Sequence, residues 1–122
     1  MTQKTASKRR DPRFALPSGA GFVNFEAGEI GDGRYRAELV EVSVAGMTLE
    51  FEAGPNFETG TILPNATVSI GECVVEGELF VKHSESIHDS RLEVGCLFYP
   101  SSQLDEEKWS AALAGLQAAR GA

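Results

Sequence analysis

Two stretches in the second half of the chain alternate apolar and polar residues with a period of two. Cys73, Val75, Gly77, Leu79 and Val81 share one face, against Val74, Glu76, Glu78, Phe80 and Lys82 on the other. Leu92, Val94, Cys96 and Phe98 likewise oppose Glu93, Gly95 and Leu97. Alternation over so many positions marks half-buried strands. Residues 21–27 read as a first strand, with Phe22, Val23 and Phe25 apolar, and Gly28, Gly31, Asp32 and Gly33 as a hairpin turn. Residues 34–42 form a second strand, in which adjacent Leu39 and Val40 break the alternation and mark a bulge near Ser43. A further strand follows Gly46 through Met47, Leu49 and Phe51 and ends in the loop Gly54-Pro55-Asn56. Residues 61–70 are a weaker strand, because Pro64 confines part of it to an edge or a strand start.

After Pro100 the period changes. Ser102 and Asp105 are spaced as a capping box, and Asp105, Glu106 and Glu107 place acid in a first helical turn. Trp109, Ala112, Leu113 and Leu116 then follow at helical spacing, and Gly121 can end the helix. Six short strands joined by tight turns predict an all-β chain with one C-terminal helix: a six-stranded antiparallel β-barrel, since closure removes exposed strand edges. The expected division is a basic N-terminal arm over 1–8, a barrel over 9–101 and an amphipathic helix over 102–120 packed on it.

Composition narrows the class. At 122 residues, 42% apolar and 24% charged, the chain is the size of one globular domain with a modest core. No apolar stretch reaches membrane-spanning length and the first residues lack a signal-peptide core, so the expected compartment is the cytoplasm, without membrane insertion. Cys73 and Cys96 are the only cysteines, and each is expected to be a reduced, buried thiol. His83 and His88 flank Ser84-Glu85-Ser86 and read as exposed loop histidines, not metal ligands. Trp109 and Phe98 are expected in core or helix packing. No nucleophile–base set and no metal constellation stands out, so an enzyme is not expected.

Charge changes the picture most. The net charge of −7 divides sharply: residues 1–13 carry Lys4, Lys8, Arg9, Arg10 and Arg13 against Asp11, a local +4 that leaves −11 for the remainder. An acidic body argues against a grip on long nucleic acid; a minor alternative, binding through the basic arm alone, would show steep salt dependence. A cationic arm is either a solvated tail or a device for a compact anion.

Arg9 and Arg13 form an RxxxR pair that Pro12 biases against helix. Downstream, Glu41, Ser43 and Gly46 bring a carboxylate, a hydroxyl and a bare backbone to the junction of two strands. An Arg fork matches guanine O6 and N7, a bidentate contact worth about 1–3 kcal/mol in discriminating bases. Arginine also binds phosphate. A carboxylate accepts from guanine N1–H and N2–H. These would be two halves of one site if the barrel brought residues 9–13 against residues 41–46.

The pair resembles the two-part motif of PilZ domains, RxxxR followed by (D/N)xSxxG. Arg10 matches a second arginine common there, and Val94-Gly95-Cys96-Leu97-Phe98 resembles a late strand of the family. The resemblance spans roughly residues 8–118. It implies a six-stranded barrel with a flanking C-terminal helix, cyclic di-GMP as ligand instead of a cofactor, and a signal relayed to a protein partner by a monomer or weak dimer. The implied ligand residues are Arg9, Arg10, Arg13, Glu41, Ser43 and Gly46. Glu41 departs from the pattern, which has Asp or Asn there. A nucleotide-independent interaction domain, with a weakened site, is the competing reading.

Overall fold

The computed structural model describes residues 13–26, 34–52, 57–88 and 91–121. Arg9, Arg10, the 28–33 turn and the 54–56 loop lie outside them. The elements are β1 (Phe14–Ala15), β2 (Gly21–Glu26), β3 (Arg34–Val42), β4 (Gly46–Glu52), β5 (Ile62–Ile70), β6 (Cys73–His88), β7 (Arg91–Pro100) and a helix, α1 (Gln103–Gly121).

Every pairing is antiparallel, in the order β3-β2-β5-β6-β7-β4, and β4 returns to β3 to close the ring. The result is the six-stranded barrel with a C-terminal helix expected from the pattern. The short β1 adds to the β2 side of β3, with Phe14 opposite Val42 and Ala15 opposite Glu41. The bulge read at Leu39-Val40 is present as a register shift between Leu39 and Glu41. Pro64 is accommodated by a second shift, between Leu63 and Ala66, where Asn65 takes a left-handed backbone (φ 57°).

Period two sorts the strands as expected. Val23, Phe25, Leu39, Leu49, Val68, Leu79, Val81 and Val94 point inward and are essentially buried. Burial of each such side chain favours folding by about 1.5–3 kcal/mol. Among the described residues no polar or charged residue is buried. Phe25, Tyr35, Phe51 and Phe57 fill one end of the barrel with ring centroids 5.7–6.5 Å apart. Toward the other end of β7, Phe98 meets Trp109 of α1 edge-to-face at 4.8 Å. Trp109 and Phe98 are therefore packing residues, as expected.

Ser102 caps α1: its hydroxyl accepts from Asp105 N–H at 3.1 Å and donates to the Asp105 carboxylate at 2.7 Å. That carboxylate also accepts from Glu76 N–H on β6 at 3.0 Å, so the cap doubles as a tether to the barrel. Lys108 Nζ reaches the Val74 carbonyl at 3.2 Å.

Two expectations are corrected. Cys96 is buried, but Cys73 is only partly so, with its Sγ 3.7 Å from the Lys108 carbonyl at the helix boundary. Residues 83–88 are not a loop: β6 continues through both histidines to His88. A bulge between Val81 and His83 resets the alternation, so a two-residue polar step, Lys82-His83, interrupts a pattern whose strand nevertheless continues.

Candidate functional site

The second motif forms the turn between β3 and β4. Ser43 N–H donates to the Gly46 carbonyl at 2.9 Å and closes it. Phe98 N–H on β7 donates to the Ala45 carbonyl at 2.9 Å, and Trp109 Nε1–H donates to the Val44 carbonyl at 3.2 Å. Gly46 is demanded by the barrel as well as by the turn. A Cβ there would land on the Cys96 carbonyl oxygen and lie 3.0 Å from Leu97 Cα, so only glycine lets β4 approach β7 this closely.

β1 carries Arg13 to this turn. Its pairing with Glu41 and Val42 runs the preceding residue alongside Ser43, and the Leu16 N–H to Val40 carbonyl bond (2.9 Å) holds the register. Arg13 Nη1 lies 3.4 Å from Glu41 Oε1, with the arginine side chain 69% exposed and the glutamate 35%. Arg13, Glu41, Ser43 and Gly46 line one open pocket of about 340 Å³, within the range of small-ligand sites.

The rest of the pocket follows from sheet register. On the outer face Glu41 pairs with Thr48, Thr48 with Gly95, and Gly95 with His83, a single row across β3, β4, β7 and β6. Gly95 contributes no side chain to the row, and the His83 ring lies over it, filling the space where a Cβ would stand. The β6 bulge adds Lys82 to the rim. Thr59 Oγ1 donates to the Lys82 carbonyl at 3.1 Å and Gly60 N–H donates to the Val81 carbonyl at 2.8 Å, fixing that bulge from the preceding loop.

The pocket thus offers two cations, one carboxylate, two hydroxyls, an imidazole and bare backbone. That suits a ligand with both anionic oxygens and a hydrogen-bonding base edge. Cys96 also lines it, but burial pushes its thiol up to about 12, which removes it as a nucleophile at neutral pH. Among the described residues no group of three or more His, Cys, Asp or Glu can hold a metal ion, and no helix is long and apolar enough to cross a membrane.

Thr48, Lys82, His83 and Gly95 were missed from sequence. Their signals were a glycine interrupting an alternating strand and two consecutive polar residues ending another.

No family model matches the chain, and no curated protein matches it in sequence. Solved structures do. The PilZ domain of Escherichia coli YcgR with c-di-GMP superposes with a TM-score of 0.73 at 17% identity, covering 93% of this chain and 94% of that one. The fold is PilZ-like. The K. pneumonia MrkH–c-di-GMP complex gives a TM-score of 0.77 at 23% identity over 88% of this chain. Bacillus subtilis inhibitor of motility (MotI/DgrA) gives 0.68 at 14% over 90%. This chain spans about half the length of each of those two proteins, 51% in both cases. At such identities the shared property is the PilZ-like barrel and helix.

Proposed function

We propose that this chain is a receptor for cyclic di-GMP that passes the signal to a protein partner. The observation that carries this reading is convergence. Arg13, from one end of the chain, meets Glu41, Ser43 and Gly46 in one pocket on a PilZ-like fold. Arg9 and Arg10 precede Arg13 on the same cationic segment and complete the arginine set. In this reading the guanidinium forks take guanine O6/N7 and phosphate. Glu41 accepts from the base, Ser43 and Thr48 supply hydroxyls, Lys82 adds charge for phosphate, and the His83 ring offers a flat face to a purine. In this reading the pocket binds the nucleotide and the chain relays its presence to the partner.

Calorimetric titration of the purified chain with cyclic di-GMP tests the reading, repeated with Arg9→Ala and Arg13→Ala. Wild type binds with low-micromolar or tighter affinity, and each variant loses about 1.5–3 kcal/mol, the scale of a hydrogen bond to a charged group. No heat at high micromolar ligand would sink it.

A nucleotide-independent interaction domain is the second reading, and the Arg13–Glu41 ion pair favours it. Glu41, one methylene longer than the Asp of the family motif, engages the arginine across the pocket. Exposed pairs of this kind are worth about 0–1 kcal/mol, too little to shut out a ligand with several charged contacts. Glu41→Asp is therefore expected to tighten binding no more than about fivefold. A far larger gain would favour the second reading for the native chain.

A further inference from the structure

The turn that presents Ser43 and Gly46 has little anchorage of its own. Val44, at its tip, is 60% exposed, so no burial of that side chain holds it in place. Two backbone carbonyls in its middle are instead held from outside, Ala45 by the Phe98 amide and Val44 by the Trp109 indole. Trp109 comes from α1, and its ring is buried and set edge-to-face on Phe98, so its single N–H has one direction to point. The helix is registered on the barrel by Asp105 at Glu76 N–H and by Lys108 at the Val74 carbonyl. The indole therefore reaches the turn from a platform that the barrel itself locates.

We propose that Trp109 is a positioning residue for the nucleotide site: from the C-terminal helix its indole N–H sets the turn that carries Ser43 and Gly46. The ligand named here rests on the cyclic di-GMP reading above, while the effect on the turn does not. Reciprocity follows. Whatever factor the docked helix adds to ligand affinity, the ligand adds to helix docking. A partner that drew α1 off the barrel would weaken nucleotide binding by that factor, and bound nucleotide would hold α1 against such a partner.

Trp109→Phe keeps an aromatic ring against Phe98 and removes only the donor. The full chain and this variant are compared in two measurements: calorimetric titration with cyclic di-GMP, and native-state amide exchange at Ser43, Phe98 and Ser101. The Ser43 amide bonds within the turn, the Phe98 amide bonds to it from β7, and the Ser101 amide bonds to the Glu76 carbonyl at 2.8 Å, away from it. The expected result is an affinity lower by about three- to tenfold, the scale of one hydrogen bond, with faster exchange at Ser43 and Phe98 and none at Ser101. Unchanged affinity with unchanged exchange overturns the proposal. So does an affinity loss without faster exchange at the turn, and so does equal acceleration at all three amides, which would mark general loosening. If wild type binds no cyclic di-GMP, the ligand reading falls by itself. Exchange at Ser43 and Phe98 then still decides whether Trp109 holds the turn.

Discussion

Two neighbouring rows cross the outer face of the barrel on the same four strands, and they differ sharply in what they present. One joins Glu41, Thr48, Gly95 and His83; the other joins Glu38, Glu50, Glu93 and Glu85. The first lines the open pocket, with the His83 ring laid over Gly95 and small Thr48 beside it. In the second, four carboxylates face one another in register, an arrangement that is destabilising for like charges directly opposite. Arg91 offsets it in part, reaching Glu50 at 2.9 Å and Glu38 at 3.9 Å. The same four strands thus yield either a ligand-sized hollow or an anion-repelling wall, and the difference lies in the side chains and in the bulges of β3 and β6 that border the pocket row. On the cyclic di-GMP reading, a phosphate in the pocket would lie within one row of the acid wall, and Arg13 and Lys82 would offset its repulsion.

The comparison breaks most severely at the seam beneath the pocket. Gly46→Ala places a methyl group on the Cys96 carbonyl, a backbone atom that cannot yield, and is expected to cost about 1–3 kcal/mol by urea denaturation. Gly95→Val instead pushes the His83 ring from its place over the strand. Its Cβ meets the far end of the His83 side chain, which can swing away, so stability changes by less than about 1 kcal/mol while cyclic di-GMP affinity falls about tenfold. Equal losses of stability in the two variants would show that both glycines serve packing alone. Arg91→Ala leaves Glu38 and Glu50 facing each other and should lower stability by about 0.5–1 kcal/mol. That difference should shrink in 1 M salt, where the Debye length contracts to about 3 Å. An unchanged difference at high salt would mean the arginine acts by packing.

The smallest expected effect lies at the helix cap, outside both rows. The Asp105 carboxyl is held below its ordinary value of 3.8 by the Glu76 N–H and, secondarily, by the Ser102 hydroxyl. A lowered pKa in the folded state means that its stabilising contribution is complete above the ordinary value and is lost as pH falls below it. Thermal melts from about pH 5 downward should show wild type losing stability faster than Asp105→Asn near and below the ordinary carboxylate range. Parallel curves would show that the cap contributes nothing that titrates.

Legibility from sequence tracked how local the physics was. Period-two burial exposed the inner faces of β6 and β7 because each residue's environment repeats every second position. The bulge at Leu39–Glu41 was visible because two adjacent apolar residues cannot both point inward on a regular strand. The far half of β6 was hidden for the converse reason. A bulge shifts the phase, and the Ser84-Glu85-Ser86 stretch lacks the apolar face that advertises a strand. His83 was accordingly misplaced, and with it one wall of the pocket. Cys73 was read as buried because its face is apolar further along the strand, but it sits at the strand end where α1 covers it only in part.

By itself the sequence determined the inward faces, the barrel class, the helix with its Ser102 cap and the two separated polar motifs, since each depends on residues a few positions apart. Only the tertiary structure decided that Arg13 stands against Glu41, that Thr48, Gly95 and His83 complete the hollow, and that Trp109 reaches the turn at Val44. The Arg13–Glu41 and Val44–Trp109 contacts join residues 28 and 65 positions apart. Strand register, barrel closure and helix docking bring them together, and none of these is written in any local run of residues.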